Sequence, residues 1–491
     1  MKTDVLDGAT RMTIPGESIS LQKQNAPGAD RKRSGSKRSR AAKLLRPMKE
    51  IAGQLLRGRW TRYNIFSGTN SWKEVRIALQ GLLRTIPIVD GPAIAEYERQ
   101  FARVAGTCYA FSFASGRMGL YVILEALGIG PGDEVILPAY TCVVVPNALI
   151  YRGARPVYVD IDPRTFNIDI NKIEAQITPR TKAIIAQHTY GLVCDVEAIS
   201  EIARRRGLTV IEDSAHALGI AHKGRNVGSL GDVAYFSTDH SKVISTSTGG
   251  MVTTDNAELA SRVGRIQSQT PFLSEQAIRA TLRTFILEYL LLDPRVCLVG
   301  SYLYAWLASR GKLAYFYDET DLVKPTAYPY PARLSNAQAL IGLSQLAMLN
   351  ENIAWRRNLA RIYDGIIGAH RMDSGADLSD HAFLLYTFRV ANQHAWVEHL
   401  SSALDSAIWF TSVCQGRDAN LEEVGYEPGS CPSAEEATRH CMNLPTHPRV
   451  RRPKLLTKLL KQAVKSTDPE LRILTSEGLA PDKRSLSGYV C

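Results

Sequence analysis

Short apolar runs alternate with amphipathic stretches between residues 95 and 254. The apolar runs are four to seven residues long and rich in Val, Ile and Tyr; they lie at 109–113, 134–140, 156–160, 183–188, 208–213, 233–236 and 250–254. Helical patterns such as the one at 195–206 separate several of them. Because short apolar strands alternate with helices, the pattern predicts an α/β fold with a mainly parallel sheet covered on both faces.

The pattern changes beyond residue 270. Two strongly apolar runs at 285–292 and 296–307 contain Tyr and Trp, and Asp293 and Arg295 interrupt them. They predict a helical insertion at about 270–330, which packs in a core, at a dimer surface or against a membrane. Further amphipathic and apolar runs indicate a smaller C-terminal α+β domain; they lie at 335–364, 382–390 and 454–464.

These patterns predict four segments: a disordered basic tail over 1–45, a large domain over 46–330 that contains the insertion, a small domain over 331–465 and a tail over 466–491. Residues 1–60 carry fourteen Lys or Arg and five Asp or Glu, so nine of the eleven net positive charges lie there. Such a terminus is either solvated or a contact for acidic lipid or polymer.

Composition excludes several classes of protein. The chain has 491 residues and 45% hydrophobic content, as expected of a globular protein with more than one core. Its eight cysteines form no Cys-x-x-Cys pair and have no His at zinc-ligand spacing, so we expect reduced thiols and no metal site. No signal-peptide pattern and no apolar run of transmembrane length is present, so the sequence predicts a cytoplasmic protein.

Two charged residues suggest chemistry. Asp213 ends the apolar run at 208–213, which places its carboxylate at the carboxyl edge of a parallel sheet, and Lys242 follows the strand that ends in Phe236-Ser237. A pyridoxal phosphate enzyme needs such a pair, because an amine holds the aldehyde and a carboxylate keeps the ring nitrogen protonated. On position alone, however, such an aspartate more often caps a turn, and a lone lysine is usually a solvated surface charge.

The turn Ser115-Gly116-Arg117 is a candidate phosphate site. It lies between a predicted strand and a predicted helix, where a glycine lets the backbone approach closely and the helix start offers unpaired N–H groups. Arg117 adds a full charge, and the Ser237 hydroxyl is a further candidate phosphate ligand. The alternative is that Ser115 and Gly116 form an ordinary cap and turn.

Several motifs occur together and in order along the chain. They are Ser115-Gly116-Arg117, GPGDEVILP at 130–138, VDIDP at 159–163, HTYG at 188–191, IEDSAH at 211–216, GSLGD at 228–232, Phe236-Ser237 with Lys242, and GGM at 249–251. This set resembles the DegT/StrS-type sugar aminotransferases, which are pyridoxal phosphate enzymes of the aspartate aminotransferase fold. The resemblance covers roughly residues 80–465.

The resemblance implies a fold and a set of roles. The fold is type I, with a mainly parallel seven-stranded sheet in the large domain and a smaller C-terminal α+β domain. Lys242 forms the Schiff base with the cofactor aldehyde, Asp213 pairs with the ring nitrogen, and His216 lies near the ring hydroxyl. Ser237 and the backbone of Gly116 and Arg117 hold the phosphate. Cys142 stands where many members have an aromatic residue that stacks on the ring.

The resemblance also implies an activity and partners. Members usually act as homodimers that move an amino group from glutamate to a nucleotide-linked keto sugar, in surface polysaccharide or amino-sugar biosynthesis. One alternative is a pyridoxal phosphate-dependent sugar dehydratase, but the presence of Lys242 favours amino transfer. Another is a non-catalytic regulator or scaffold, although no motif for specific nucleic-acid binding supports it. A further hypothesis places the basic tail and the helices near 280–310 on an anionic membrane.

Overall fold

Two sheets organise the protein in this computed structural model, which describes residues 61–65, 68–314, 322–368, 371 and 377–474. The predicted tail over 1–45 lies outside these residues. The strands are β1 (Tyr109–Phe113), β2 (Glu134–Pro138), β3 (Thr141–Cys142), β4 (Arg155–Val159), β5 (Thr181–Gln187), β6 (Thr209–Asp213), β7 (Ala221–His222), β8 (Arg225–Asn226), β9 (Val233–Ser237), β10 (Gly250–Thr254), β11 (Leu385–Val390), β12 (Cys414–Gln415), β13 (Cys441–Pro445) and β14 (Ile473–Leu474).

Helices cover and connect these strands. They are α1 (Trp72–Leu82), α2 (Ala93–Ala105), α3 (Gly116–Ala126), α4 (Val144–Tyr151), α5 (Ile170–Ile173), α6 (Val196–Arg206), α7 (Ala257–Gln269), α8 (Glu275–Leu291), α9 (Cys297–Ser309), α10 (Asn336–Leu346), α11 (Leu349–Ile367), α12 (Gln393–Leu400), α13 (Pro432–His440) and α14 (Lys454–Val464). Short 3₁₀ turns add to them at Glu174–Gln176, Thr189–Gly191, Leu378–Asp380, Leu421–Val424 and Pro469–Leu471.

The large sheet has seven strands in the order β1-β10-β9-β6-β5-β2-β4. The strands from β9 to β4 pair in parallel, and β10 runs antiparallel to both of its neighbours. The strand interiors are buried, as the unbroken apolar runs predict for a sheet covered on both faces. The predicted fold class, an α/β protein with a mainly parallel sheet, is confirmed.

Local sequence signals set the helix boundaries. In α6, the Asp195 side chain accepts a hydrogen bond from the backbone N–H of Ala198 (3.1 Å), which caps the helix start. Gly207 ends the helix at a φ of 64°, a left-handed conformation that glycine adopts without strain. Three arginines over 204–206 lie in the last turn, where positive charge interacts favourably with the negative end of the helix dipole. The connection from β5 to β6 is therefore specified locally.

The smaller sheet lies in the C-terminal part of the chain and has the antiparallel order β13-β11-β14. Helices α12 and α14 pack in its core, to which they contribute Trp396 and Leu460 respectively. The long helix α11 joins this core to the rest of the protein: Ile353 packs with residues of the large sheet, whereas Tyr363 packs with the small sheet. Because β14 pairs with β11, the small sheet extends beyond the predicted boundary at residue 465.

The predicted insertion contains α8 and α9, which pack against each other and against Leu313. The C-terminal residues 475–491 of the predicted tail lie outside the described part of the chain. In the ranges that the structure describes, we find no helix that combines the length and apolar character needed to cross a membrane.

A buried carboxylate connects the three central strands. Glu212 in β6 is fully buried and accepts hydrogen bonds from the backbone N–H groups of Gly228 (2.9 Å) and Gly231 (2.7 Å), in the turn before β9. It also lies 3.2 Å from Nε2 of His188, the residue after β5. The backbone N–H of Cys194 donates to Nδ1 of this ring (3.0 Å), so Nε2 carries the proton that faces Glu212. One side chain thus fixes the ends of β5 and β9 relative to β6.

Removal of this carboxylate will destabilise the fold. We expect Glu212→Ala to lower the free energy of unfolding by about 3 kcal/mol or more, because it leaves several buried N–H groups without an acceptor. Urea unfolding followed by circular dichroism measures the change. The matched control is Glu201→Ala on the exposed side of α6, which should change stability by less than about 0.5 kcal/mol. Equal effects of the two substitutions would show that the Glu212 network is not a stabilising element.

Candidate active site

The candidate site lies where the central parallel strands end. Asp213 is the last residue of β6, and the loop that follows β9 carries Lys242. The two side chains are close enough to interact electrostatically, and Arg117 at the start of α3 interacts with Lys242 as well. Carboxyl ends of parallel strands form the usual ligand-binding edge of such a sheet. The fold thus brings together residues that are far apart in the sequence.

The loop that carries Lys242 is closed at its base by backbone hydrogen bonds. The N–H of Thr238 donates to the carbonyl of Gly249 (2.8 Å), and the N–H of Thr246 donates to the carbonyl of Thr238 (2.9 Å). A side chain at position 249 would collide with the hydroxyls of both threonines. Glycine is therefore required at this position by the close approach of the two ends of the loop.

Side-chain amides from two helices hold the same loop from outside. Nε2 of Gln338 in α10 donates to the carbonyl of Thr248 (2.6 Å), and Nδ2 of Asn352 in α11 donates to the carbonyl of Val243 (2.6 Å). All four residues are buried. Buried carbonyl groups need such partners, so these amides stabilise one conformation of the loop. The position of Lys242 thus depends on α10 and α11.

An indole ring covers the amine of Lys242. Nζ lies 5.0 Å from the centroid of the Trp409 ring, a cation–π distance. The backbone N–H of Trp409 donates to Oδ1 of Asn443 in β13 (3.0 Å), so the small sheet positions the indole. Burial lowers the pKa of the Lys242 amine below its usual value, although the Asp239, Cys142 and Asp213 side chains act in the opposite direction. The amine therefore loses its proton more readily than a surface lysine.

The carboxylate of Asp213 has the opposite tendency. Burial raises its pKa, while the nearby Tyr235 hydroxyl and a hydrogen bond from the backbone N–H of Ala215 (3.1 Å) partly offset this effect. Lys242 and His188 contribute further favourable electrostatic interactions. Since these groups do not fully compensate the buried negative charge, a cationic group placed against the carboxylate would be stabilised.

The start of α3 packs directly against the end of β9. A Cβ atom on Gly116 would lie 2.9 Å from the carbonyl oxygen of Phe236 and 3.0 Å from Cβ of Ser237. The hydroxyl of Ser115 accepts a hydrogen bond from the N–H of Met118 (3.4 Å) and so caps the helix. The N–H groups of the first turn and the Ser237 side chain therefore lie side by side, as an anion site requires.

The His216 ring packs against the rings of Trp409 and Tyr190. Its ring is nearly parallel to that of Tyr190, and its centroid is 5.1 Å from that of Trp409. Nδ1 accepts a hydrogen bond from the backbone N–H of Tyr190 (3.2 Å), and burial lowers the pKa of the imidazole well below its usual value. The ring is thus neutral, with its proton on Nε2. Tyr190 has a φ of 55°, an uncommon conformation for a bulky residue.

Cys142 completes the site at the strand β3. This strand pairs in parallel with β12, so a separate two-stranded sheet links the C-terminal part of the chain to the large domain beside the site. The Cys142 side chain interacts electrostatically with Lys242, Arg117 and Asp213, and burial raises the pKa of its thiol. Many members of the family that the motifs resemble have an aromatic residue at this position. Here the Cys142 thiol lies beside the three charged groups.

The structure brings the sequence-predicted residues into one neighbourhood. Gly116 lies against Ser237, and Lys242 interacts electrostatically with Arg117, Asp213 and His216. Three neighbours were not predicted as site residues: Tyr190, Tyr235 and Trp409. Tyr190 lies within the quoted HTYG motif and Tyr235 in the strand before Ser237, so position could have suggested both. Trp409 has no local signal, because its place over Lys242 depends on the packing of the small sheet.

These residues fit pyridoxal phosphate. Because Gly116 has no Cβ, the start of α3 packs against Ser237, and the first N–H groups of α3 together with the Ser237 hydroxyl could hold a phosphate. The incompletely compensated carboxylate of Asp213 suits a protonated ring nitrogen, and the Lys242 amine suits an aldehyde. The donor set offers what each part of the cofactor needs.

Comparison with known proteins agrees with this chemistry. Residues 71–281 and 308–456 match the DegT/DnrJ/EryC1/StrS aminotransferase family. The unmatched interval, residues 282–307, covers the second half of α8 and most of α9, so only this central part of the predicted insertion at about 270–330 lies outside the match.

Individual relatives are sugar aminotransferases. The chain is 36% identical to a GDP-perosamine synthase from Caulobacter vibrioides over 326 residues, which cover 65% of this chain and 73% of the relative. It is 31% identical over 381 residues to a UDP-2-acetamido-2-deoxy-3-oxo-D-glucuronate aminotransferase from Pseudomonas aeruginosa, covering 76% and 91% of the two chains.

A solved structure shows the same architecture. DesV from S. venezuelae, crystallised in complex with a ketimine intermediate, superimposes with a TM-score of 0.63 at 27% identity, over 81% of this chain and 95% of that one. The family predicted from the motifs is thereby confirmed. The chain belongs to the DegT/DnrJ/EryC1/StrS aminotransferase family, whose members are pyridoxal phosphate-dependent sugar aminotransferases of fold type I.

Proposed function

We propose that this protein transfers an amino group from glutamate to a nucleotide-linked keto sugar, in the biosynthesis of an amino sugar or a surface polysaccharide. We further propose that it acts in the cytoplasm as a homodimer. The family match and the two sugar aminotransferases described above support the class of acceptor. The thiol state of the described cysteines suits a reducing compartment.

One observation carries the proposal: a shielded lysine amine lies near a buried aspartate at the carboxyl edge of the sheet. Lys242 is held by its closed loop and covered by Trp409, while Asp213 ends the adjacent strand β6. Burial shifts both groups toward their uncharged forms. Such opposed shifts in one cleft are typical of catalytic groups rather than of a structural ion pair.

Bound pyridoxal phosphate supplies an aldehyde that takes up the amino group and a ring that accepts electrons as a substrate C–H bond breaks. In our proposal the Asp213 carboxylate accepts a hydrogen bond from the ring nitrogen and keeps that nitrogen protonated. The hydrogen bond from the N–H of Ala215 orients the carboxylate toward this task. A cation here would also remove the cost of burying the aspartate alone.

The phosphate and ring hydroxyl have separate candidate partners. The hydroxyl of Ser237 and the N–H groups of Gly116 and Arg117 would bind the phosphate, with the positive end of α3 directed at it. The Nε2–H of His216 would donate to the oxygen on the ring, since its Nδ1 is occupied by the N–H of Tyr190. These contacts would fix the orientation of the cofactor before any substrate enters.

Lys242 would hold the cofactor in the resting enzyme and move a proton during turnover. Once an amino-acid donor displaces it, its neutral Nζ can accept the proton from the donor's α-carbon and return it on the other side of the transfer. The lowered pKa of the amine keeps it available as a base closer to neutral pH than a surface lysine would be. Trp409, held by the small sheet, would shield this proton transfer from water.

The activity can be tested with a panel of nucleotide-linked and free keto sugars. With glutamate as donor and the enzyme in catalytic amounts, we expect 2-oxoglutarate in excess of the enzyme to form only together with an aminated sugar, and only with a nucleotide-linked acceptor. Lys242→Ala should abolish this turnover and prevent borohydride from fixing the cofactor to the peptide at position 242. The matched control, Lys223→Ala, removes an exposed lysine paired with Glu197 and should leave both readouts unchanged. Loss of water from the sugar without amino transfer would contradict the proposal.

Asp213→Asn will separate cofactor chemistry from folding. An amide of the same size cannot maintain the charge on the ring nitrogen, so turnover should fall by about a hundredfold or more while the fold is kept. Steady-state kinetics and circular dichroism measure the two effects. Asp195→Asn is the control, because asparagine also caps α6. Turnover of Asp213→Asn close to that of the wild type would remove Asp213 from the mechanism.

The pKa of Lys242 provides a test in the cofactor-free protein. Burial lowers it, so the amine should lose its proton at a lower pH than Lys223, whose pKa is raised by its hydrogen bond with Glu197. Trp409→Ala admits water and should shift the Lys242 titration upward, toward the ordinary lysine value. Trace acetylation across a pH series, read by peptide mass spectrometry, reports both amines. A pKa of Lys242 equal to or higher than that of Lys223 would contradict the prediction that burial lowers the pKa of Lys242.

A further inference from the structure

The outward face of α9 is apolar. Four residues at helical spacing lie on it, and each is 45% to 52% exposed: Val296, Val299, Leu303 and Trp306. Charged residues stand at its two ends, with Arg295 before the first turn and Arg310 after the last. A surface helix normally exposes its polar side and buries its apolar side. Here an apolar stripe faces outward, which indicates a partner that accepts apolar side chains.

This stripe belongs to the part of the chain that is not shared with the family. The match to the family ends at residue 281 and resumes at residue 308, so most of α9 lies in the unmatched interval. The opposite side of the helix supplies the packing, since Tyr304 is buried against Leu313 and α8. The insertion therefore has its own small core, and its exposed face is not needed to hold it in place.

A strongly basic segment lies beside the insertion. Residues 449–465, which include α14, contain seven Lys or Arg and no Asp or Glu. Six of these basic side chains are exposed, and four of them line one face of α14: Lys454, Lys458, Lys461 and Lys465. Leu456, Leu459, Leu460 and Ala463, on the opposite side of α14, pack in the core of the small sheet. The helix thus presents a positive surface that carries no acidic residue.

Hydrogen bonds bring the two features together. Nη2 of Arg449 donates to the carbonyl of Tyr289 (2.8 Å) and to the carboxylate of Asp293 (2.9 Å), at the turn between α8 and α9. Asp293 also pairs with Arg295 at 2.8 Å, so this acidic side chain is neutralised. The basic segment therefore begins at the base of the apolar insertion, where positive charge prevails.

The N-terminal part of the chain arrives at the same place. The N–H of Arg62 donates to the carbonyl of Pro294 in the turn before α9 (3.0 Å), and the hydroxyl of Tyr63 donates to the carbonyl of Arg452 (2.9 Å). Residues 1–60 precede this point and carry nine net positive charges. The apolar face and the basic segment thus lie near the point from which the described chain starts.

We propose that the outward face of α9 and the basic segment 449–465 form one docking surface for an anionic lipid bilayer. Apolar side chains enter the headgroup region while lysines and arginines bind lipid phosphates, and a basic terminus adds to the attraction. A second copy of the chain is a poorer fit, because its own basic segment would bring like charge to the contact. A nucleic acid would use the charges and leave the apolar stripe without a function.

Charge reversal on α14 tests the electrostatic half of this surface. The full-length protein should sediment with vesicles of phosphatidylcholine and phosphatidylglycerol, and release from them in high salt. Lys458→Glu with Lys461→Glu should weaken this binding by about tenfold or more. The matched control, Arg103→Glu with Arg204→Glu, reverses two exposed charges on other helices and should weaken it much less. An equal loss in both double variants would overturn the proposed location.

Polar substitution on α9 tests the apolar half. Leu303→Ser with Trp306→Ser should also weaken vesicle binding by about tenfold. Leu83→Ser with Ile362→Ser replaces two exposed apolar residues elsewhere and should leave binding unchanged. Amino-transfer activity should be retained in all these variants, since none of the residues lies at the active site. Vesicle binding that survives the α9 substitutions would overturn the proposal.

Two further outcomes separate the membrane from other partners. If heparin or RNA is bound as tightly as anionic vesicles and the α9 variant binds them equally well, the surface is a general polyanion site and the proposal is wrong. If the protein does not bind anionic vesicles, and light scattering shows that the α9 variant is a monomer where the wild type is a dimer, the stripe is a subunit interface and the proposal is again wrong. Binding to anionic but not to pure phosphatidylcholine vesicles supports it.

Discussion

The buried carboxylate of Glu212 is the interaction on which the active-site geometry depends. It joins the end of β5, through His188, and the turn before β9 to the strand β6 that lies between them. Side chains alternate along a strand, so Glu212 points to one face of the sheet and Asp213, one residue later, to the other. By fixing β6 relative to its neighbours, Glu212 thus fixes the position of the Asp213 carboxylate on the other face of the sheet. Its full burial explains why several N–H donors are needed around it.

The second requirement is a fixed position for Lys242 although it lies in a loop. Amide side chains of α10 and α11 bind carbonyl groups of this loop, and α11 continues into the core of the small sheet. The small sheet in turn places Trp409 over the amine. The lysine is therefore held from one side by the large sheet and shielded from the other by the small one, so cofactor chemistry and the packing of both sheets are coupled.

The insertion differs from the rest of the chain in where its apolar residues lie. Elsewhere, apolar residues at helical spacing face a core, as in α6 and α14. In α9 the buried side forms a small separate core and the exposed side is also apolar, with basic residues around it. Such a surface costs solubility unless a partner covers it.

Much of this protein is determined by the sequence itself. The strands of the large sheet and the capped start of α3 are predictable, because local periodicity and glycine turns act over short distances. The roles predicted for Asp213, Ser237 and Lys242 come instead from the resemblance of the ordered motifs to a known family. The tertiary structure alone decided that Trp409 covers Lys242 and that β14 joins the small sheet. Both depend on contacts between segments far apart in the chain, to which local patterns contribute no signal. It also decided which face of α9 is exposed, since an apolar helix does not specify the side it buries until its neighbours are in place.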